Sequence, residues 1–249
     1  MIPVHDGKAL TYIGRPYVAW GLILANILVY LVVEGGGFET EASQASVLSF
    51  GLIPAVFNNF AELPPDLAEI PGSLTLITYA FLHGDLWHLI GNMVFLWVFA
   101  DNVEDAMGHV RFLAFYCLCA IGGGYAYVLS NPATEAPVVG ASGAVAGVVA
   151  AYFILHPFQK IWVLALGRIP LRLSAVWVLG FWILYQAYAV FAADPGEPVA
   201  WWSHVGGLVT GAVLVVVMRR RSVPLFDRGA AALPASSRLP DIDGGNTPR

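Results

Sequence analysis

Four side chains in this sequence would make an acyl-transfer site if the fold brought them together. Ser142 sits in the run Gly140-Ala141-Ser142-Gly143, at the start of a long apolar stretch. A serine hydroxyl is a weak nucleophile at its free pKa and needs an adjacent base. His204 is the candidate for that role. His88 and Asn92 are four apart, so on a helix they share a face. Both can donate hydrogen bonds, as a developing oxyanion requires. If a helix starts at Ser142, its first backbone N–H groups lack intrahelical partners and its dipole favours negative charge there. Glycines frame these residues. Gly143 and Gly147 are four apart, and Gly207 and Gly211 follow His204 at i+3 and i+7. Small residues let apolar helices approach closely.

The elements that must hold these residues follow from composition. The chain has 249 residues, 58% hydrophobic and 12% charged, against about 25% charged in an average soluble domain. So little charge excludes a soluble globular enzyme, a disordered protein and a nucleic-acid binder. A net charge of -5 leaves no basic footprint for phosphate. Cys117 and Cys119, two apart in an apolar run, match neither a disulfide framework nor a metal-ligand spacing. What remains is an all-α, polytopic membrane protein. Six apolar stretches approach the roughly 17–25 residues of a membrane span: 17–33, 81–100, 112–129, 138–155, 173–193 and 199–218. They do not alternate as barrel strands would. Residues 1–15 are polar and mixed, and the first apolar run is of span length, so no cleaved signal is expected.

Three regions result: an N-terminal segment, 1–16; a six-helix domain, 17–218; and a tail, 219–249, whose Pro, Ala, Gly and Arg content predicts disorder. One connection, about 34–80, is far longer than a typical loop. It is apolar (Val47, Phe50, Ile53, Phe57) and is expected to lie in the membrane interface. All twelve Lys and Arg fall on one side of this topology, and the opposite loops carry none. The positive-inside rule then makes both termini cytoplasmic. In that orientation His88, Asn92, Ser142 and His204 lie at a common depth, near the outer ends of spans two, four and six. Ionisable groups inside spans mark function by default.

Blander readings exist for each residue alone. A Gly-x-Ser-Gly in a glycine-rich membrane helix is most often a packing device. A lone membrane histidine most often bonds a backbone carbonyl. A metal enzyme is one rival, with His83, His88 and His204 as nitrogen ligands; it lacks a His-Glu-x-x-His run and leaves Ser142 without a role. A transporter is another, but its polar groups should lie near the midplane, within inverted repeats.

Taken together, His88-Leu-Ile-Gly-Asn92, Gly140-Ala141-Ser142-Gly143 and His204-Val-Gly-Gly207 running on to Gly211 resemble the rhomboid family of intramembrane serine proteases, of the bacterial or archaeal type. Asn102-Val-Glu-Asp105, Gly108-His109 and Arg111-Phe112 add to the likeness, which covers about 17–218. The resemblance implies a six-helix rhomboid-like bundle in a prokaryotic inner membrane, with its site open to the outer face. It implies a Ser142 nucleophile, a His204 general base and acid, and no carboxylate third member. The oxyanion hole would be His88, Asn92 and the Ser142 N–H. Substrates would be transmembrane proteins in the lipid bilayer; no metal, cofactor or nucleic acid is called for. A catalytically inactive relative that binds membrane clients is the alternative. The chain departs from the family in two places. Its first long loop has no Trp-Arg pair, and Ala146 stands where some members stack a tyrosine on the catalytic histidine. Packing of the His204 ring must then come from Trp201, Trp202 or the fifth span. Asp194 and Glu197, just before His204, are further candidates to tune it.

Overall fold

Nine α-helices and three β-strands make up the residues that the computed structural model describes, 2–38, 40–192 and 199–228. They run β1 (Ile2–His5), α1 (Tyr17–Val32), α2 (Glu41–Phe50), α3 (Pro54–Phe57), α4 (Thr75–Thr78), α5 (Leu86–Met107), α6 (His109–Ser130), α7 (Ser142–Leu155), β2 (Lys160–Ala165), β3 (Ile169–Ser174), α8 (Ala175–Ala192) and α9 (Trp201–Met218). Four of the helices, α5, α6, α8 and α9, are long and apolar enough to cross a membrane. α1 and α7 are apolar but shorter, with 16 and 14 residues. At 1.5 Å per residue α7 rises about 21 Å, less than the roughly 30 Å of a hydrocarbon core. The molecule is a helical, integral membrane bundle. Its outward faces carry Trp177, Phe181, Leu184 and Phe191 on α8 and Val209, Val213 and Val217 on α9. Such surfaces suit lipid rather than water.

α7 is the hub. Every residue over 143–152 is buried, and α5, α6, α8 and α9 all pack on it. Its shortness has a local cause. Gly140 sits at φ 125°, a conformation closed to other residues, and the preceding segment is tied elsewhere. Val138 and Leu52 exchange two backbone hydrogen bonds, and Ala55 N–H donates to the Thr134 carbonyl. The 34–80 connection is thus fastened to the bundle. Much of its apolar character serves the protein's own core rather than the interface: Leu52, Ile53, Ala55, Leu76 and Tyr79 are buried, whereas Phe38, Phe60 and Leu74 stay exposed.

Two apolar runs end differently from their sequence outline. The helix expected over 81–100 starts at Leu86, where the Asp85 carboxylate accepts the His88 N–H as an N-cap, and continues to Met107. His83 therefore lies before the helix, not on it. The run expected as one helix over 173–193 begins as a strand. β2 and β3 form a hairpin, and β1 adds to it in the order β1-β2-β3. Leu166 and Gly167, at φ 52° and 69°, make the tight turn. Ile161 and Val163 point into the core while Trp162 points out, a two-residue period.

The sheet lies at the end where the segments before α1 and after α9 meet. There, carboxylates of α5 hold the N-terminal segment. Asp105 accepts N–H hydrogen bonds from Thr11, Tyr12 and Ile13 at 2.9, 2.6 and 2.8 Å. Glu104 accepts from the Val18 and Ala19 N–H groups in the first turn of α1 and meets His109 Nδ1 at 2.5 Å. Asp6 takes hydrogen bonds from Asn102 and the Tyr152 hydroxyl, and burial raises its carboxyl above the usual range. The tail expected to be disordered from 219 is packed through 228: Arg220 N–H donates to Ala106, Phe226 to Ile154 and Asp227 to Leu155. The rest of that expectation, over 229–249, lies outside the described residues.

Candidate active site

Ser142 is the first residue of α7, so its backbone N–H has no partner one turn earlier in the helix. His204 is in the first turn of α9, and its Nε2 lies 2.8 Å from Ser142 Oγ. The two helices touch backbone to backbone. A Cβ added at Gly207 would collide with the Gly143 carbonyl, and one at Gly211 with the backbone of Gly147. One at Gly143 would press on the Ser203 and Tyr79 hydroxyls, and one at Gly147 on Cys119. α6 wedges α9 from its other side. Gly122 meets Thr210, Gly123 meets the Ser203 carbonyl, and Gly206 meets the Gly122 carbonyl. Sequence reasoning singled out Gly140, Gly143, Gly147, Gly207 and Gly211, gave Gly206 no packing role within its motif, and passed over Gly122 and Gly123. The signal for the last two was the run of three glycines at 122–124 inside an apolar helix.

His88 and Asn92 stand one turn apart on α5. The His88 ring covers Gly140, two residues before Ser142, so closely that a Cβ there would overlap its Cε1 and Nε2. Asn92 is buried, and one N–H of its amide donates to the His88 carbonyl at 3.1 Å. An amide nitrogen carries two N–H groups, so one more donor remains on this side chain. The His83 ring meets His88 edge to face, with centroids 5.2 Å apart. The His83 N–H lies 2.9 Å from both carboxylate oxygens of Glu34, just past the end of α1. Burial pushes the Glu34 carboxyl up to about 7, against the pull of that N–H. Among the described residues, no three His, Cys, Asp or Glu side chains converge as a metal site would need.

The second nitrogen of His204 is also engaged. Nδ1 lies 2.8 Å from Oε1 of Gln186, a buried residue of α8. The Trp201 ring meets the imidazole edge to face at 5.6 Å and 83°. Ala146 is buried against Ala150 and Leu208 and offers no ring. The question of what packs His204 thus has two answers, Trp201 and Gln186. The role of Gln186 was not read from sequence, although a single amide within an apolar helix is itself a signal. Asp194 and Glu197 lie outside the described residues. The assembled groups are a hydroxyl paired with an imidazole at a helix N-terminus, with an imidazole and an amide alongside. They can support nucleophilic attack on a carbonyl and stabilise the resulting oxyanion.

A family model described as the Rhomboid domain matches residues 71–221. Similar proteins include Rhomboid protein 1, mitochondrial, of Saccharomyces cerevisiae, 30% identical over 151 residues, which cover 57% of this chain and 41% of that protein. Rhomboid-like protease 3 of Toxoplasma gondii is 26% identical over 200 residues, covering 80% and 67%. Rhomboid protease GluP of Bacillus subtilis is 28% identical over 201 residues, covering 80% and 34%. The chain therefore spans less than half the length of the yeast and Bacillus proteins.

Proposed function

The chain belongs to the rhomboid family, and from that premise we propose that it is an intramembrane serine endopeptidase, cleaving peptide bonds in or beside transmembrane segments. The observation that carries the reading is the 2.8 Å contact between Ser142 Oγ and His204 Nε2 at the start of a buried helix. In this scheme His204 takes the hydroxyl proton as Ser142 attacks the scissile carbonyl, then returns a proton to the leaving amine. The Ser142 N–H, His88 and Asn92 receive the oxyanion. Water then releases the acyl group by the same base. A helical substrate has its carbonyls hydrogen-bonded, so it must unwind locally. That favours weak helix formers such as Gly or Ser near the cleaved bond. The one-sided distribution of Lys and Arg supports both termini in the cytoplasm and a site opening to the outer face. In a prokaryote the host would be the cytoplasmic membrane.

The test is cleavage of a panel of single-span substrates by the purified chain in detergent or liposomes. Wild type should cleave. Ser142→Ala and His204→Ala should each fall to near background, because nucleophile and base act as a unit. A serine-reactive phosphonate should label wild type and spare Ser142→Ala. Cleavage by Ser142→Ala at the wild-type rate, or chelator inhibition reversed by zinc, would overturn the proposal. Stable capture of the substrates without turnover would move the protein to the client-binding reading.

A further inference from the structure

Resting on the proposed hydrolysis, we infer that Gln186 is a positioning residue: its amide oxygen holds His204 in the tautomer that leaves Nε2 free to take the proton of Ser142. A neutral imidazole has one donor and one acceptor nitrogen. Which nitrogen carries the hydrogen is set by the partner of the other. Oε1 of Gln186 can only accept, so at 2.8 Å it selects hydrogen on Nδ1. Nε2 then keeps its lone pair, aimed at Ser142 Oγ at 2.8 Å. The opposite tautomer would direct an N–H at the hydroxyl oxygen and could not act as its base. An amide suits the place. Gln186 is buried within an apolar helix, where an unpaired carboxylate would be expensive, and an amide supplies the directing oxygen without charge. Trp201 blocks one edge of the ring. Together they occupy the role that the missing ring at Ala146 leaves open.

The geometry also sets what the contact does over the cycle. When His204 takes the proton, both ring nitrogens become donors, and the Nδ1–H···Oε1 hydrogen bond persists with a charged donor. It is strengthened in the transition state rather than the ground state, so its loss should fall on kcat and not on substrate affinity. Gln186 reaches the site from α8, whereas the nucleophile and base come from α7 and α9. The active tautomer therefore depends on α8 being seated against α9.

The experiment uses the full chain labelled with 15N-histidine, the His204 signals being those lost in His204→Ala. Wild type should show hydrogen on Nδ1 and a pyridine-type Nε2. Gln186→Met, which keeps the length but removes the acceptor, should shift His204 toward hydrogen on Nε2. Its kcat should fall about 10–100-fold, the range of a hydrogen bond to a charged group, with KM within about twofold. Gln186→Glu, which retains an acceptor, should keep at least about tenfold more of kcat than Gln186→Met. The inference is overturned if wild-type His204 carries its hydrogen on Nε2. It is equally overturned by wild-type kcat and tautomer in Gln186→Met, or by equal loss in the two variants. The wild-type spectrum decides even if a variant does not fold. Absence of Ser142-dependent cleavage would sink the proposed hydrolysis without changing that spectrum, so the two failures are distinguishable.

Discussion

Ser142 acquires from its place what its hydroxyl lacks by type. At the first position of α7 it has an unpaired N–H beside it and the positive end of a helix dipole beneath the carbonyl it would attack. His88 and Asn92 stand in a different relation to the chemistry, since each would be one donor among three. His88→Ala and Asn92→Ala should each lower kcat about 10²–10³-fold while leaving measurable cleavage. The double variant should be worse than either alone. Single-turnover cleavage of one substrate by the three variants checks this, and a full-rate Asn92→Ala would remove that residue from the oxyanion hole. These four residues were legible in the sequence because each is a polar interruption of an apolar run, and the topology set them at one depth. Gln186 was not legible as a partner of His204. An isolated amide has no spacing to a second polar group, and its contact is made across helices.

Where Gly207 and Gly211 of α9 meet Gly143 and Gly147 of α7, no side chain intervenes, and that close approach sets the distance from Ser142 to His204. A methyl added at Gly207 or Gly211 meets backbone, which cannot rotate away. Gly207→Val and Gly211→Val should therefore force the helices apart, at about 1–3 kcal/mol of stability. Kcat should fall by at least about 10²-fold as His204 moves off Ser142. Val209→Leu, on the lipid-facing side of the same helix, should change neither. Cleavage rate and thermal unfolding in one detergent read both effects, and wild-type turnover in a folded Gly207→Val would break the link between the glycine contact and the dyad distance. The helices themselves were plain from apolar runs, but their ends were not. Apolarity does not register a cap, so Asp85 moved the start of α5 and Gly140 shortened α7. The β2–β3 hairpin escaped because it lies in the connection between two apolar runs, with Lys160, Arg168 and Arg172 in it and only its last two residues inside the second run. Its signal was the two-residue alternation of Ile161, Trp162 and Val163.

The molecule as a whole is unlike at its two ends. One carries the candidate site beside the 34–80 connection, which Leu52 and Tyr79 tie down, and the other carries the segments before α1 and after α9, gathered on the acidic end of α5. Arg220 stacks over Tyr12 at 5.6 Å, and Lys8 pairs with Asp227 at 3.5 Å, so the segments before α1 and after α9 meet there. Asp105→Ala would leave three N–H groups without their acceptor. It should cost about 1–3 kcal/mol, read as a lower unfolding temperature, while kcat per folded molecule holds, since Ser142 lies at the far end. An equal fall in kcat would mean that the two ends are coupled. None of this gathering was visible in the sequence, because carboxylates binding the backbone of distant residues leave no periodic trace. It also puts a clock on the protein's birth. The Asp6 carbonyl waits for Gln159, 153 residues further along the chain. At about 5–20 residues per second the ribosome needs on the order of 8–30 s to deliver it. For that interval β1 is a strand without a sheet, and Asp6 is an acid without its tyrosine. The nascent chain must keep the residues of β1 out of wrong pairings until Tyr152 and β2 have been made.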